Sequence, residues 1–401
     1  MQVSSSLRRA LHLRRPRAAS PLPFPAVART RPFATASAAT APAPESSPKD
    51  ARDAAPPPPM PTRHWEEALA ASQRAFCLPL AGRVLAASAT GNAAVAPTAV
   101  HASLALAAAG ARGATRRQVL QVLGCGGGGK GAAADAANVA SRMVKRVLRD
   151  RSPSGGPRLM FAGGIWADAS TRLSSAFVET AHNVVLYFSG RWLYRPDIRT
   201  TAAQKFCCLD GTCVDVPFVA YDRTRLFAAH EGFKVIKLPY QQGKNERKFA
   251  MYIFLPDAHD GLFELSKKVF AEPSFLEEHL PTEKRHVDIR VPNFTVSFQI
   301  DMKEILKDMG LELPFHRDAD FADMVKDDES SGPLFLSDVL HKAVLEVNDK
   351  VIEETSFSTG IGKPSPAEHF VADHPFLFVI REEVSRSIIF MGHILDPSSQ
   401  S

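Results

Sequence analysis

"FVADHPFLFVI", residues Phe370–Ile380, reads as a buried strand from its density of Phe, Val, Ile and Leu. Upstream, "HKAVLEV" (His341–Val347) reads the same way. Between them lies "NDKVIEETSFSTGIGKPSPAEH", residues 348–369, which is polar and dotted with Gly and Pro. That composition predicts an exposed loop, and loops of such length inside compact domains are uncommon and usually functional.

Further out the pattern is mixed. Residues 65–90, 98–123 and 135–150 ("DAANVASRMVKRVLRD") are expected to be helical, as is a short segment around "DMKEILKDMG", which ends at a Gly310 C-cap. Strand-like segments are "PRLMFAGGIWADA", "HNVVLYFSGRW", "GFKVIKLPY", "RKFAMYIFLP" and "HVDIRVPNFTVSF". Helices first and strands mostly later predict an α+β domain with large antiparallel or mixed sheets.

Composition bounds the function. The 401 residues are 45% hydrophobic and 23% charged, as in an ordinary globular chain with a sizeable core. No apolar run is long enough for a membrane helix, so no membrane partner is expected. The formal charge of +5 has a local source: residues 1–44 hold seven Arg and no Asp or Glu, which leaves the remainder at −2. The body is therefore near neutral, and no nucleic-acid role is expected. The five cysteines are an odd number without regular spacing, which suggests a reducing compartment.

The leader itself, with "SSLRRALHLRRPRAAS" and "TRPFATASA", resembles an organellar transit peptide over residues 1–44. Its use would place the protein in a mitochondrion or plastid; otherwise the cytosol or extracellular space is expected. Residues 45–62 are rich in Pro and Ala and read as a disordered linker, with the folded domain expected over 63–401.

Three features could carry chemistry. "GCGGGGKG" (Gly124–Gly131) approaches a phosphate-binding loop, but Gly131 stands where Ser or Thr is needed and a helix, not a strand, is expected before it. It reads as a flexible connector. Cys207, Cys208 and Cys213 lie close in sequence but contain no C-x-x-C pair and no neighbouring His, so no metal site and no cofactor are expected. Arg142, Lys145, Arg146 and Arg149 fall at i, i+3, i+4 and i+7, so they would share one helical face. Such a face is either plainly solvated or binds a polyanion. No nucleophile–base motif emerges, and an enzyme is not expected.

The C-terminal third carries a family resemblance. "FVADHPFLFVI" is similar at every position to the serpin signature, and "REEVSRSIIFMGHILDP" continues as that family does. "LHKAVLEVND" resembles the strand entering the serpin reactive loop. "GFKVIKLPYQQGKNERKFAMYIFLPDAHDGL" looks like its central hairpin in the plant (serpin-Z-like) form, and "GNAAVAPTAVHASLALAAAGARGATRRQVLQVLG" resembles its early helices. The resemblance implies three β-sheets with several helices, and a monomer. It also implies a family in which many members inhibit serine or cysteine proteases, by loop cleavage and insertion of the loop as a new strand.

Against that pattern the chain departs in several places. After "RLSSAFVETA" it runs directly to "NVVLYFSGRW", so an edge strand, a helix crossing the large sheet and half a central strand are missing between about residues 182 and 183. Such a loss should expose apolar sheet surface. Of the family's Asn…Ser-Pro-x-Ser and His arrangement behind the sheet, Asn92 and His341 remain, while Ala96 and Ala99 replace the serines. In the loop, Val351 stands where inhibitory relatives have a hinge glycine, followed by Ile352, Glu353, Glu354 and Thr355 in place of small residues. If Ile352 points inward on insertion, so does the carboxylate of Glu354. Counting back from the signature puts the reactive bond at Gly362–Lys363; Gly362 does not suit a trypsin-like protease, and a cut after Lys363 would meet Pro364. The expectation is a non-inhibitory serpin. An endopeptidase inhibitor engaging a serine or cysteine protease is the alternative, and polyanion binding is a third.

Overall fold

The computed structural model describes residues 73–125, 143–150, 152–161, 186–189, 192–193, 203–243, 247–272, 274–325, 333–347 and 368–399. The leader, the linker, the junction at 182–183, the hinge and the reactive bond lie outside the described residues.

A helix at Leu78–Ala87, entered through a π-helical turn at Gln73–Cys77, leads into strand β1 (Ala93–Val95). The helix Pro97–Gly110 starts with Pro in its first turn, where a missing N–H costs nothing. Its Ala- and Leu-rich surface is buried nearly all round, which marks it as a core helix and not an amphipathic one. Gly113–Val122 is a second helix, so what precedes the glycine-rich stretch is indeed helical. The later segments are β2 (Arg158–Phe161), β3 (Leu186–Ser189), β4 (Ala203–Cys207), β5 (Cys213–His230), β6 (Phe233–Pro239) and β7 (Phe249–Pro256). After two helices come β8 (Lys284–Pro292) and β9 (Phe294–Asp301), then β10 (Leu340–Val347), β11 (Glu368–Val371), β12 (Phe376–Glu382) and β13 (Ser387–Ile394). The helix Lys303–Asp308 ends as expected: Gly310 takes φ +94°, and its N–H donates to the Lys307 carbonyl.

The described strands form two sheets, a nine-stranded one in the order β1-β13-β12-β7-β6-β5-β8-β11, with β4 paired to β5, and a four-stranded one in the order β2-β3-β10-β9. Of the three β-sheets expected, two run into one another through β5, 18 residues long, which serves both. Phe218–Leu226 pairs with β8, and Phe227–His230 then pairs with β6.

The two sheets pack face to face through aromatics. Phe294 on β9 lies 5.9 Å from Phe376 and 5.7 Å from Phe378 on β12, ring centre to ring centre. Strands β7, β12 and β13 are buried at every residue. The helices Pro97–Gly110 and Leu262–Ala271 also pack against this layer, the first on β13 and the second on β7 and β12.

The signature stretch is two strands, not one. β11 pairs with β8 and β12 with β7 and β13, and Ala372–Pro375 forms the break between them. Pro375 has no N–H to give a ladder, which suits it to that break.

Cys207 and Cys213 form a disulfide across the β4–β5 hairpin, where they are register partners with Cα atoms 4.1 Å apart. Cys77, Cys125 and Cys208 are free thiols.

Candidate functional site

Strand β10 lies at the centre of the site. His341, Ala343, Leu345 and Val347 point inward and are buried, while Leu340 and Lys342 face solvent. On one side β10 pairs antiparallel with β9 over eight residues, from Leu340↔Asp301 to Val347↔Phe294. On the other it pairs directly, in parallel, with β3 over four residues, Ala343↔Leu186 to Glu346↔Ser189. No described strand stands between β3 and β10 at these positions, where the two pair directly.

The outer face of the β9–β10 half is largely polar. Lys342 faces Gln299, Val344 faces Ser297 and Glu346 faces Thr295 across the ladder. The apolar surface expected from the missing helix is thus limited in this half to Leu340, 66% exposed, and the half-buried Val344. Among the described strands β2 is the outermost on its side, and no further edge strand is described beyond it.

Behind the sheet, His341 does not lack a partner despite the lost serines. The backbone N–H of Ala96 donates to His341 Nε2 at 3.2 Å, in place of a hydroxyl. An Nε2 that accepts requires the proton on Nδ1, and burial lowers the His341 pKa from 6.5 to about 4. The ring is therefore neutral, a structural bridge from β10 to the turn before Pro97.

Asn92 does something else. Its Nδ2 donates to the carbonyls of Asp396 (2.6 Å) and Ser399 (3.2 Å). Its Oδ1 accepts from the backbone N–H groups of Leu395 (2.8 Å) and Asp396 (3.0 Å). Asn92 thus ties down the C-terminal segment through these four hydrogen bonds, none of which reaches His341. Replacing it with Ala leaves those buried backbone groups without partners and is expected to cost about 2–3 kcal/mol. The check is the denaturant midpoint at unchanged m-value.

Of the basic row, Lys145 and Arg149 are exposed, and Arg142 lies outside the described residues. The helical turn spans Met143–Val147 only, so Arg149 falls beyond it. Arg149 therefore does not continue the helical face on which Lys145 stands.

Two constellations were not legible in the sequence. Glu382 is wholly buried, and its carboxylate receives Arg247 Nη1 at 2.8 Å, Ser385 N at 2.7 Å and Val384 N at 3.1 Å. His259, Asp373 and His374 gather their side chains at the break between β11 and β12.

The serpin family model (serine protease inhibitor) matches residues 71–186 and 183–397. The match comes in two pieces that meet at the expected junction. A rice protein named "Probable non-inhibitory serpin-Z9" is 65% identical over 394 positions, covering 85% of this chain and 90% of that one. Since 85% of 401 residues falls well short of 394, several dozen aligned positions have no residue here. Another rice relative, "Serpin-ZXA", is 36% identical and covers 82% of this chain and 97% of its own. Among solved structures, Arabidopsis AtSerpin1 in its "Native Stressed Conformation" superposes with a TM-score of 0.74 at 30% identity, over 84% of this chain and 99% of that one.

Proposed function

The chain belongs to the serpin family, and from that premise we propose that it is a member that does not trap proteases. Members of this family generally act as protease inhibitors and not as catalysts. Inhibition requires the segment after Val347 to enter between β3 and β10 as a new strand.

The observation that carries the proposal is the loop's pair of adjacent carboxylates, set against a sheet that insertion must first open. β3 and β10 pair directly, Ala343↔Leu186 to Glu346↔Ser189, so entry between them has to break that ladder. Each buried N–H or C=O left unpaired on the way costs about 1–3 kcal/mol.

The loop sequence adds a second cost. Glu353 and Glu354 are adjacent, so either register of an inserted strand turns one carboxylate toward the core. Burying an unpaired carboxylate costs several kcal/mol or forces its protonation. Val351 at the hinge stiffens the turn that insertion needs. The name of the 65% identical rice relative agrees with this reading.

A serine or cysteine protease should therefore meet the loop as a substrate. Incubation with a broad panel of such proteases is expected to give cleavage within residues 348–367 and no SDS-stable complex. One reproducible covalent complex, lost on boiling with hydroxylamine as an acyl ester would be, overturns the proposal.

A further inference from the structure

The break inside the signature places a buried histidine in an unusual position. His374 is 6% exposed, and its Nε2 lies 2.8 Å from the carbonyl oxygen of Pro256, at the end of β7. Its Nδ1 lies 2.8 Å from Asp373 Oδ1. Both ring nitrogens thus face oxygen acceptors, while a neutral imidazole has a single N–H to give. With Nε2–H donated to Pro256, a second cation must stand at Nδ1, either a proton or a metal ion.

The surroundings suit a metal ion. His259, on the exposed turn after β7, stacks on His374 with ring centres 4.5 Å apart. One ligand atom from each of His259, Asp373 and His374 falls within a sphere where all lie within 4.8 Å of one another. Two imidazoles and one carboxylate form a donor set for Zn²⁺ or a neighbouring transition metal, whereas Ca²⁺ and Mg²⁺ call for oxygen ligands. Metal–ligand bonds of about 2.0–2.2 Å require some contraction, which the exposed His259 side chain can supply by rotating about its own bonds.

The set is held from behind. The Pro256 carbonyl fixes the ring and tautomer of His374, the outer-sphere hydrogen bond that metal-binding histidines usually make. The Asp373 carbonyl accepts from Cys207 N at 2.8 Å, which pins the dipeptide to the disulfide-closed β4–β5 hairpin. The turn carrying His259 is closed by Asp257 N–H to the Gly232 carbonyl and Gly261 N–H to the Ala258 carbonyl, both at 2.9 Å.

We propose that His259, Asp373 and His374 form a Zn²⁺-type site that clamps the turn after β7 to the strand break between β11 and β12. A fourth position is left to water. The clamp lies where the chain returns from the exposed loop into the core, so occupancy would stabilise that return.

The probes are Co²⁺ and Zn²⁺ added to the full chain freed of metal by chelation. Co²⁺ is expected to give the visible absorption of a tetrahedral site, displaced by Zn²⁺, and Zn²⁺ to raise the unfolding midpoint. His259→Ala, at an exposed position that folding does not need, should abolish both effects; Asp373→Asn should weaken them. Cys208→Ser should leave both unchanged. Absence of a Co²⁺ spectrum, its persistence in His259→Ala, or a thiolate charge-transfer band lost in Cys208→Ser would each overturn the proposal.

Discussion

Replacing Gly392 with alanine is expected to lower stability by about 3 kcal/mol, the upper end of the usual overpacking cost. Gly392 sits in β13 between Ala94 of β1 and Phe378 of β12. A Cβ there would stand 2.6 Å from Cζ of Phe378 and would also clash with the Ala93 carbonyl oxygen. Neither neighbour can yield: Phe378 is fully buried against Phe294, and Ala93 belongs to a strand hydrogen-bonded to β13 itself. The damage should spread to the site. β1 runs into Ala96, whose N–H holds His341, so displacing β1 loosens β10 from behind. Denaturant unfolding checks the size. Adding Phe378→Leu should recover only part of it, because the backbone clash remains; full recovery would show that the ring alone forbids a side chain.

A second large effect is expected on acidification. Burial lowers the pKa of both His101 and His341 from 6.5 to about 4, and also lowers that of His393. All three are neutral when folded, whereas the unfolded chain binds their protons near pH 6.5. Between pH 6.5 and 4 the unfolded state therefore holds more protons, and stability must fall as pH falls through that window. It is fully present above pH 6.5. At about 1.4 kcal/mol per pKa unit, His101 and His341 are each worth about 3 kcal/mol by pH 4, large beside a typical stability of about 5–15 kcal/mol. Urea midpoints measured across this range should fall steeply, and His341→Gln should flatten the slope whatever it does to stability at pH 7. An unchanged slope in that variant would show that His341 is not neutral in the fold.

Family and fold class were legible because the buried strands carry dense, specific sequence. The closing helix glycine was legible too, since Gly310 obeys a local rule. What escaped was whatever depends on partners distant in sequence. Ala372–Pro375 puts Asp, His and Pro into an apolar run, a break signal that the dense Phe, Val, Leu and Ile on either side outweighed, so the run reads as a single strand. Cys207 and Cys213 meet only because the β4–β5 register sets them opposite, which an odd cysteine count hides. Asn92 was expected to share a network with His341; its partners lie over 300 residues away in the C-terminal segment. Arg149 lies beyond the turn Met143–Val147, because periodicity gives positions on a helix but not where the helix stops.

The segment between β10 and β11 lies outside the described residues, and Val351, Glu353, Glu354 and Gly362 speak through chemistry alone. The sheet that would receive it gives the independent half of the account: closed, with β3 and β10 paired directly.

The direct test is the thermal unfolding of the full chain before and after a single cut within residues 348–367, at one scan rate and one protein concentration. Insertion adds a strand to the sheet's interior and with it a large gain in stability. The account predicts an unfolding midpoint unchanged by cleavage, with the loop's two halves remaining outside the sheet. A rise of tens of degrees would show that the loop inserts despite its carboxylates, and would contradict it.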